Sequence, residues 1–280
     1  MTSKKPPFPW LYLALSYGLA WMLWIPVALT GQDYQESPLL LALVLLGVFG
    51  PGIAGIVMTY REGGREGGRR FWASVLDPRR IRPLWVLLIV AIWPVLNGLA
   101  IVVNLVLGGD PPAFEFLRSI LAQPLNLIVV PVLYFLQALL EELGWRGYMQ
   151  DRVQARWSPA VASLVVGICH TLWHLPLFWV EGTNQKAFGF GLDFWFFVAA
   201  GLASSIFYAW CYNANRRSTL AVTLIHFWGN LCLDLFSDPG SQRRVPMALM
   251  VLGAAVIWTV WWVRETSARR YLRGQHRVVA

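Results

Sequence analysis

The chain has 280 residues, 57% of them hydrophobic and 14% charged, with a mean hydropathy of +0.52. A soluble domain usually carries about 25% charged residues, and the apolar residues here fall in blocks of about 20, the length that crosses a hydrocarbon core of ~30 Å. The formal net charge of +8 sits in loops and tails, where basic residues set membrane orientation and meet anionic lipid; a water-soluble globular fold is excluded, and no nucleic-acid partner is called for.

The first block follows Lys4 and Lys5, begins near Pro9 and ends at Thr30. It is longer than the ~7–15-residue core of a signal peptide and reads as a retained helix. The remaining blocks predict spans at 38–60, 83–108, 124–145, 159–180, 193–212, 219–236 and 246–264. Only helices satisfy their backbone within one segment in lipid. The expected fold class is therefore all-α, a polytopic transmembrane bundle of about eight helices. It forms one integral membrane domain over residues 1–280, with core helices in 125–236. Trp10, Trp85, Trp157, Trp195, Trp261 and Trp262 lie near block ends, as in an interfacial aromatic belt. Cys169, Cys211 and Cys232 form no CxxC and read as reduced packing residues.

The loops alternate in charge. Arg61, Arg65, Arg69, Arg70, Arg79, Arg80 and Arg82 share one loop, and Arg152, Arg156, Arg216 and Arg217 fall in the others of the same set. The tail adds Arg264, Arg269, Arg270, Arg273 and Arg277. The intervening loops carry Asp33, Glu36, Asp110, Glu115, Glu181 and Asp193. The positive-inside rule makes the arginine-rich set and both termini cytoplasmic, with Arg243 and Arg244 as exceptions on the outer side. The REGGREGG run at 61–68 predicts a flexible, basic cytoplasmic loop over 61–82. No internal duplication of the transporter kind is visible.

Ionisable residues within a span cost roughly 2.5–3.5 kcal/mol on insertion scales, so each marks a functional candidate. Glu141, Glu142 and Arg146 close the fourth span. Glu142 and Arg146 are four apart and share a face, while Glu141 lies about 100° round the helix and is free to face the interior. A poorly solvated carboxylate suits a general base. His170 and His174 share a face of the fifth span, with Pro176 expected to distort the helix just beyond. His226 and Asn230 share a face of the seventh, where N–H donors could hold the oxygen of an attacked carbonyl. Acid, imidazole and carboxamide are the groups that amide hydrolysis needs.

At these residues the sequence resembles the CAAX protease and bacteriocin-processing family of intramembrane endopeptidases. The family's E-E-x-x-x-R matches Glu141, Glu142 and Arg146. The His of F-x-x-x-H matches His174, and H-x-x-x-N matches His226 and Asn230. The family's Phe is His170 here, which changes the shape and polarity of the expected cavity. The resemblance implies an eight-helix membrane protease in which Glu141 and His174 activate water. His226 and Asn230 would stabilise the oxyanion, and Glu142 and Arg146 would support the architecture. Its substrates would be membrane-associated peptides, among them prenylated C-terminal tails or leader peptides, with membrane lipid as the surrounding partner. The favoured mechanism needs no metal. The alternative is zinc held by Glu141, His170, His174 and His226, although no HExxH is present. Competing functions are a non-catalytic membrane partner of immunity type and an ion-coupled transporter.

Overall fold

The computed structural model describes residues 7–236 and 243–278, with side chains up to residue 265. Lys4, Lys5 and the tail side chains Arg269, Arg270, Arg273 and Arg277 lie outside the described residues. Among these residues every regular element is a helix. In chain order they are α1 (Trp10–Thr30), α2 (Pro38–Gly47), α3 (Gly50–Leu76), α4 (Pro83–Val106), α5 (Glu115–Ala122), α6 (Asn126–Gly144), α7 (Gln150–Gln154), α8 (Pro159–Trp173), α9 (Asn184–Phe188), α10 (Leu192–Ala214), α11 (Thr219–Phe236) and α12 (Arg244–Val278). Among the described residues eight helical units are long and apolar enough to cross a membrane, the expected number. Three are composite: α2 and α3 run as one unit, α6 continues through a π-helical turn at Trp145–Met149 into α7, and α8 runs on into a 3₁₀ turn at Leu175–Trp179.

Local chemistry sets the boundaries. Ser37 and Ser158 accept from Leu40 N and Val161 N as N-caps, each followed by Pro, whose missing N–H costs nothing at a helix start. α1 ends at Gly31, which takes a left-handed conformation. α8 stops at Trp173, and Pro176 lies in a 3₁₀ turn over Leu175–Trp179, the distortion expected of it.

Cross-links sort the loops onto two ends of the bundle. At one end Tyr34 N donates to the Glu181 carbonyl, and Arg244 makes a bidentate pair with Asp193. At the other, Arg80 donates to the Arg216 carbonyl, Arg82 N to Asn215, and Ala160 N to Glu265. Phe8 packs on Trp157 at that same end. The arginine-rich loops thus gather at one end with residues 8 and 265. Arg243 and Arg244, the exceptions to the charge rule, are neutralised by Asp234 and Asp193 at 2.6 Å each.

Residues 61–76, expected as a flexible loop, are helical except at Gly64, whose φ of 55° and ψ of −151° suit glycine alone. The chain doubles back there, and Trp72 Nε1 donates to Tyr60 Oη. Glu62 takes a hydrogen bond from Tyr148 and a bidentate pair from Arg152. Glutamate–arginine pairs at helical spacing, such as Glu66 with Arg69 and Arg70, support the helix that the glycines weaken.

The tryptophans divide. Trp10 and Trp195 are exposed, as a belt requires, but Trp85 is buried against Trp210. Others fasten helix to helix through their N–H groups: Trp21 to the Trp173 carbonyl, Trp24 to Val44, Trp93 to Ile225 and Trp258 to Ala160. In lipid, where apolar burial between helices gains little, such bonds and close packing hold a bundle together. At the contact of α3 with α6 the backbones approach closely. A Cβ on Gly144 would lie 2.3 Å from the Pro51 carbonyl oxygen and 2.5 Å from Tyr12 Oη, so only glycine lets these backbones meet. The three cysteines are free thiols.

Candidate active site

α6, α8 and α11 each bring one polar cluster to the middle of the bundle, and α10 closes it from the side. Glu142 is fully buried and accepts from Arg146 Nη1 at 3.2 Å and from His226 Nδ1 at 2.8 Å. The pairing of Glu142 with Arg146 is the one their spacing of four predicts. Arg146 also donates to Ser205 Oγ of α10 at 2.9 Å and lies 4.9 Å from the ring centre of Tyr208. Tyr208 in turn stacks on His226 at 4.9 Å. Ser205 and Tyr208 carry no spacing signal in α10; only packing reveals them.

Glu141 points to the other side of the helix, towards a cavity of about 450 Å³ that His170, His174, His226 and Asn230 also line. Its Oε2 lies 2.7 Å from His170 Nε2. Gln137 Nε2 approaches Oε1 at 3.5 Å. The direct partner of Glu141 is therefore His170 rather than His174, although one donor atom from each of the three lies within 4.8 Å of the others. His170 is held between the rings of Trp145 and His174, with centroids at 5.0 and 5.3 Å. Asn230 lines the cavity four residues after His226, on the same face of α11.

Partners assign the tautomers. Arg146 Nη1 approaches His170 Nδ1 at 3.4 Å. A guanidinium only donates, so Nδ1 carries the lone pair and Nε2 carries the hydrogen given to Glu141. His174 Nδ1 lies 3.0 Å from the His170 carbonyl oxygen, which only accepts, so the lone pair of the neutral ring is on Nε2. His226 gives its Nδ1–H to Glu142, and its Nε2 donates only when the ring is an imidazolium.

The same assignment tests the metal alternative. Glu141, His170 and His174 converge as a ligand set would, and His226 is outside that group. Freeing His170 Nε2 as a ligand would put an Nδ1–H against the Arg146 N–H. Two donors, Glu141 and His174, then remain without rearrangement, against the three protein ligands of a catalytic zinc. The three residues are compatible with a metal ion, whose binding through His170 Nε2 would require the ring hydrogen to move to Nδ1.

The site lies deeper than the span limits predict. The helical path continues past Glu141 to Gln154, about 20 Å at 1.5 Å per residue, before reaching the arginine-rich end. The cavity runs the other way and is lined by Tyr34, Gln185 and Arg243. At that end Asp234 accepts from Tyr134 at 2.5 Å and from Arg243 at 2.6 Å. This cluster joins α6 to α11 and has no counterpart in the sequence motifs.

Comparison with known proteins agrees with this architecture. Residues 123–232 match the family model described as Type II CAAX prenyl endopeptidase Rce1-like. Over 264 residues the chain is 27% identical to CAAX prenyl protease 2 of Methanococcus maripaludis, covering 92% of this chain and 95% of that one. Glu141, Glu142, Arg146, His170, His174, His226 and Asn230 all fall inside the matched segment. The chain is thus an integral membrane helix bundle whose residues 123–232 match the Rce1-like CAAX prenyl endopeptidase family, a family of proteases.

Proposed function

We propose that the protein hydrolyses peptide bonds of membrane-associated substrates at the cavity wall, by water attack without a metal. One observation carries the reading: Glu141, His170 and His174 converge within 4.8 Å on the wall of a cavity that His226 and Asn230 share. A water there can give one hydrogen to Glu141 Oε1 and point the other at the His174 Nε2 lone pair. Its oxygen attacks the scissile carbonyl carbon as Glu141 takes the proton. The carbonyl oxygen becomes an oxyanion within reach of the Asn230 amide and of His226 Nε2, whose imidazolium charge Glu142 offsets. Collapse breaks the C–N bond, and Glu141 passes its proton to the departing amine.

The test is Glu141→Gln, which keeps the shape and removes the base. Cleavage of a membrane-anchored peptide is expected to fall ~10³-fold, within the 10²–10⁴ range of a general base, while the protein inserts and folds as before. Unchanged cleavage would end the reading and move the base to another residue.

The substrates are membrane-proximal peptides, prenylated tails or leader peptides among them. The cavity mouth at Tyr34, Gln185 and Arg243 is opposite the arginine-rich loops. With those loops and both termini cytoplasmic, as charge dictates, substrate enters from the outer face, an arrangement that favours exported peptides. A cysteine at Gln185 should then react with an impermeant maleimide in intact cells, and one at Arg69 should not. The reverse pattern would turn the mouth to the cytoplasm and favour prenylated tails.

A further inference from the structure

His170 occupies the position where the family motif carries an apolar Phe, yet it makes the shortest contact of Glu141, at 2.7 Å. We propose that His170 is a positioning residue for Glu141, holding one carboxylate oxygen so that the other faces the water. This rests on the reading of Glu141 as the base and adds a residue that the motif does not include.

Three constraints fix the imidazole. Arg146 Nη1 donates to Nδ1 and so keeps the hydrogen on Nε2. Trp145 and His174 sandwich the ring, with interplanar angles of 24° and 28°. The backbone carbonyl of His170 also takes the Nδ1–H of His174, so one residue orients both groups that meet the water. Arg146 is itself anchored by Glu142 and Ser205. The chain of contacts Glu142–Arg146–His170–Glu141 thus links two adjacent glutamates through space. An N–H held against Oε2 at 2.7 Å directs proton uptake to Oε1, whose own donor, Gln137 Nε2, stands off at 3.5 Å. A Phe can fill the space but cannot donate.

Two measurements test this, and neither depends on the outcome of Glu141→Gln. The first is ¹⁵N NMR of histidine-labelled protein in nanodiscs, where only four imidazoles contribute. His170, assigned by its loss in His170→Gln, is expected as the neutral Nε2–H form. An Nδ1–H form, or loss of signal to a stoichiometric bound metal, would overturn the proposal. The second is steady-state cleavage by three variants. His170→Gln places an amide N–H near the Nε2 position and should keep kcat within ~5-fold of the parent, whereas His170→Asn and His170→Phe should lower kcat ~10- to 100-fold with KM nearly unchanged, as expected when an interaction acts on the chemical step alone. Equal activity of the Gln and Phe variants would overturn it, as would a loss expressed in KM.

Discussion

Glu141 and Glu142 are neighbours in sequence and belong to different parts of the molecule. Glu142 is sealed, with Arg146 and His226 as partners and no access to the cavity. Glu141 is nearly as buried, but it looks into the cavity, with His170 and Gln137 as its hydrogen-bond partners. A rotation of about 100° between successive helical residues separates the two environments. The helix can therefore divide two tasks between adjacent carboxylates: one balances charge inside the bundle, and the other stays available for chemistry. Charged residues in lipid are expensive, and the site keeps the cost down by giving each carboxylate at least one N–H donor.

That division can be broken from either side. Glu142→Gln removes the counter-charge of a fully buried guanidinium, and about 3–5 kcal/mol of stability should go with it. Chemical unfolding in detergent measures this, and a small loss would mean that Arg146 finds another partner. By contrast, Glu141→Gln should leave stability nearly intact, so the ratio of the two effects is the sharper result. Asn230→Ala should lower kcat by ~10²-fold, the lower end for loss of one oxyanion donor, without changing the unfolding midpoint. An unchanged kcat would leave His226 as the sole stabiliser. The smallest effect is expected at the α3–α6 contact. Gly144→Ala places a methyl group against Pro51 and Tyr12 and should cost about 1–3 kcal/mol by overpacking. If cleavage falls much further than stability, the contact also sets the position of Glu141.

The spans were legible because lipid leaves few solutions: an apolar block of 20 residues must be a helix, and its ends carry Ser-Pro or Gly-based caps. The Glu142–Arg146 pair was legible for the same local reason, a spacing of four. What eluded the sequence is what depends on neighbours in space. The foldback at Gly64 looks like a linker because its stabilising partners, Tyr148 and Arg152, lie far along the chain. The depth of Glu141 was misjudged because Trp145–Met149 reads as the end of an apolar block, although the helix passes through it. The bond from Glu141 to His170 could not be read, since both histidines of α8 share one face and only Arg146 decides which ring turns to the acid. Trp85 resembles a belt residue by position and is interior because Trp210 happens to face it.

The widened turn at Trp145–Met149 has a consequence for how this helix tolerates change in length. A π turn holds one residue more than an α turn, so everything from Gln150 onward is out of phase with Glu141 by roughly 100° compared with an unbroken α-helix. That offset delivers Arg152 to Glu62 and Gln154 to Asn213. Losing one residue here would restore ordinary winding while keeping both the acid aimed at the cavity and the distal segment on its neighbours, whereas regular α winding at unchanged length would swing that segment by roughly 100°. The two ends of the span are tuned separately, and the extra residue is the gear that lets them mesh.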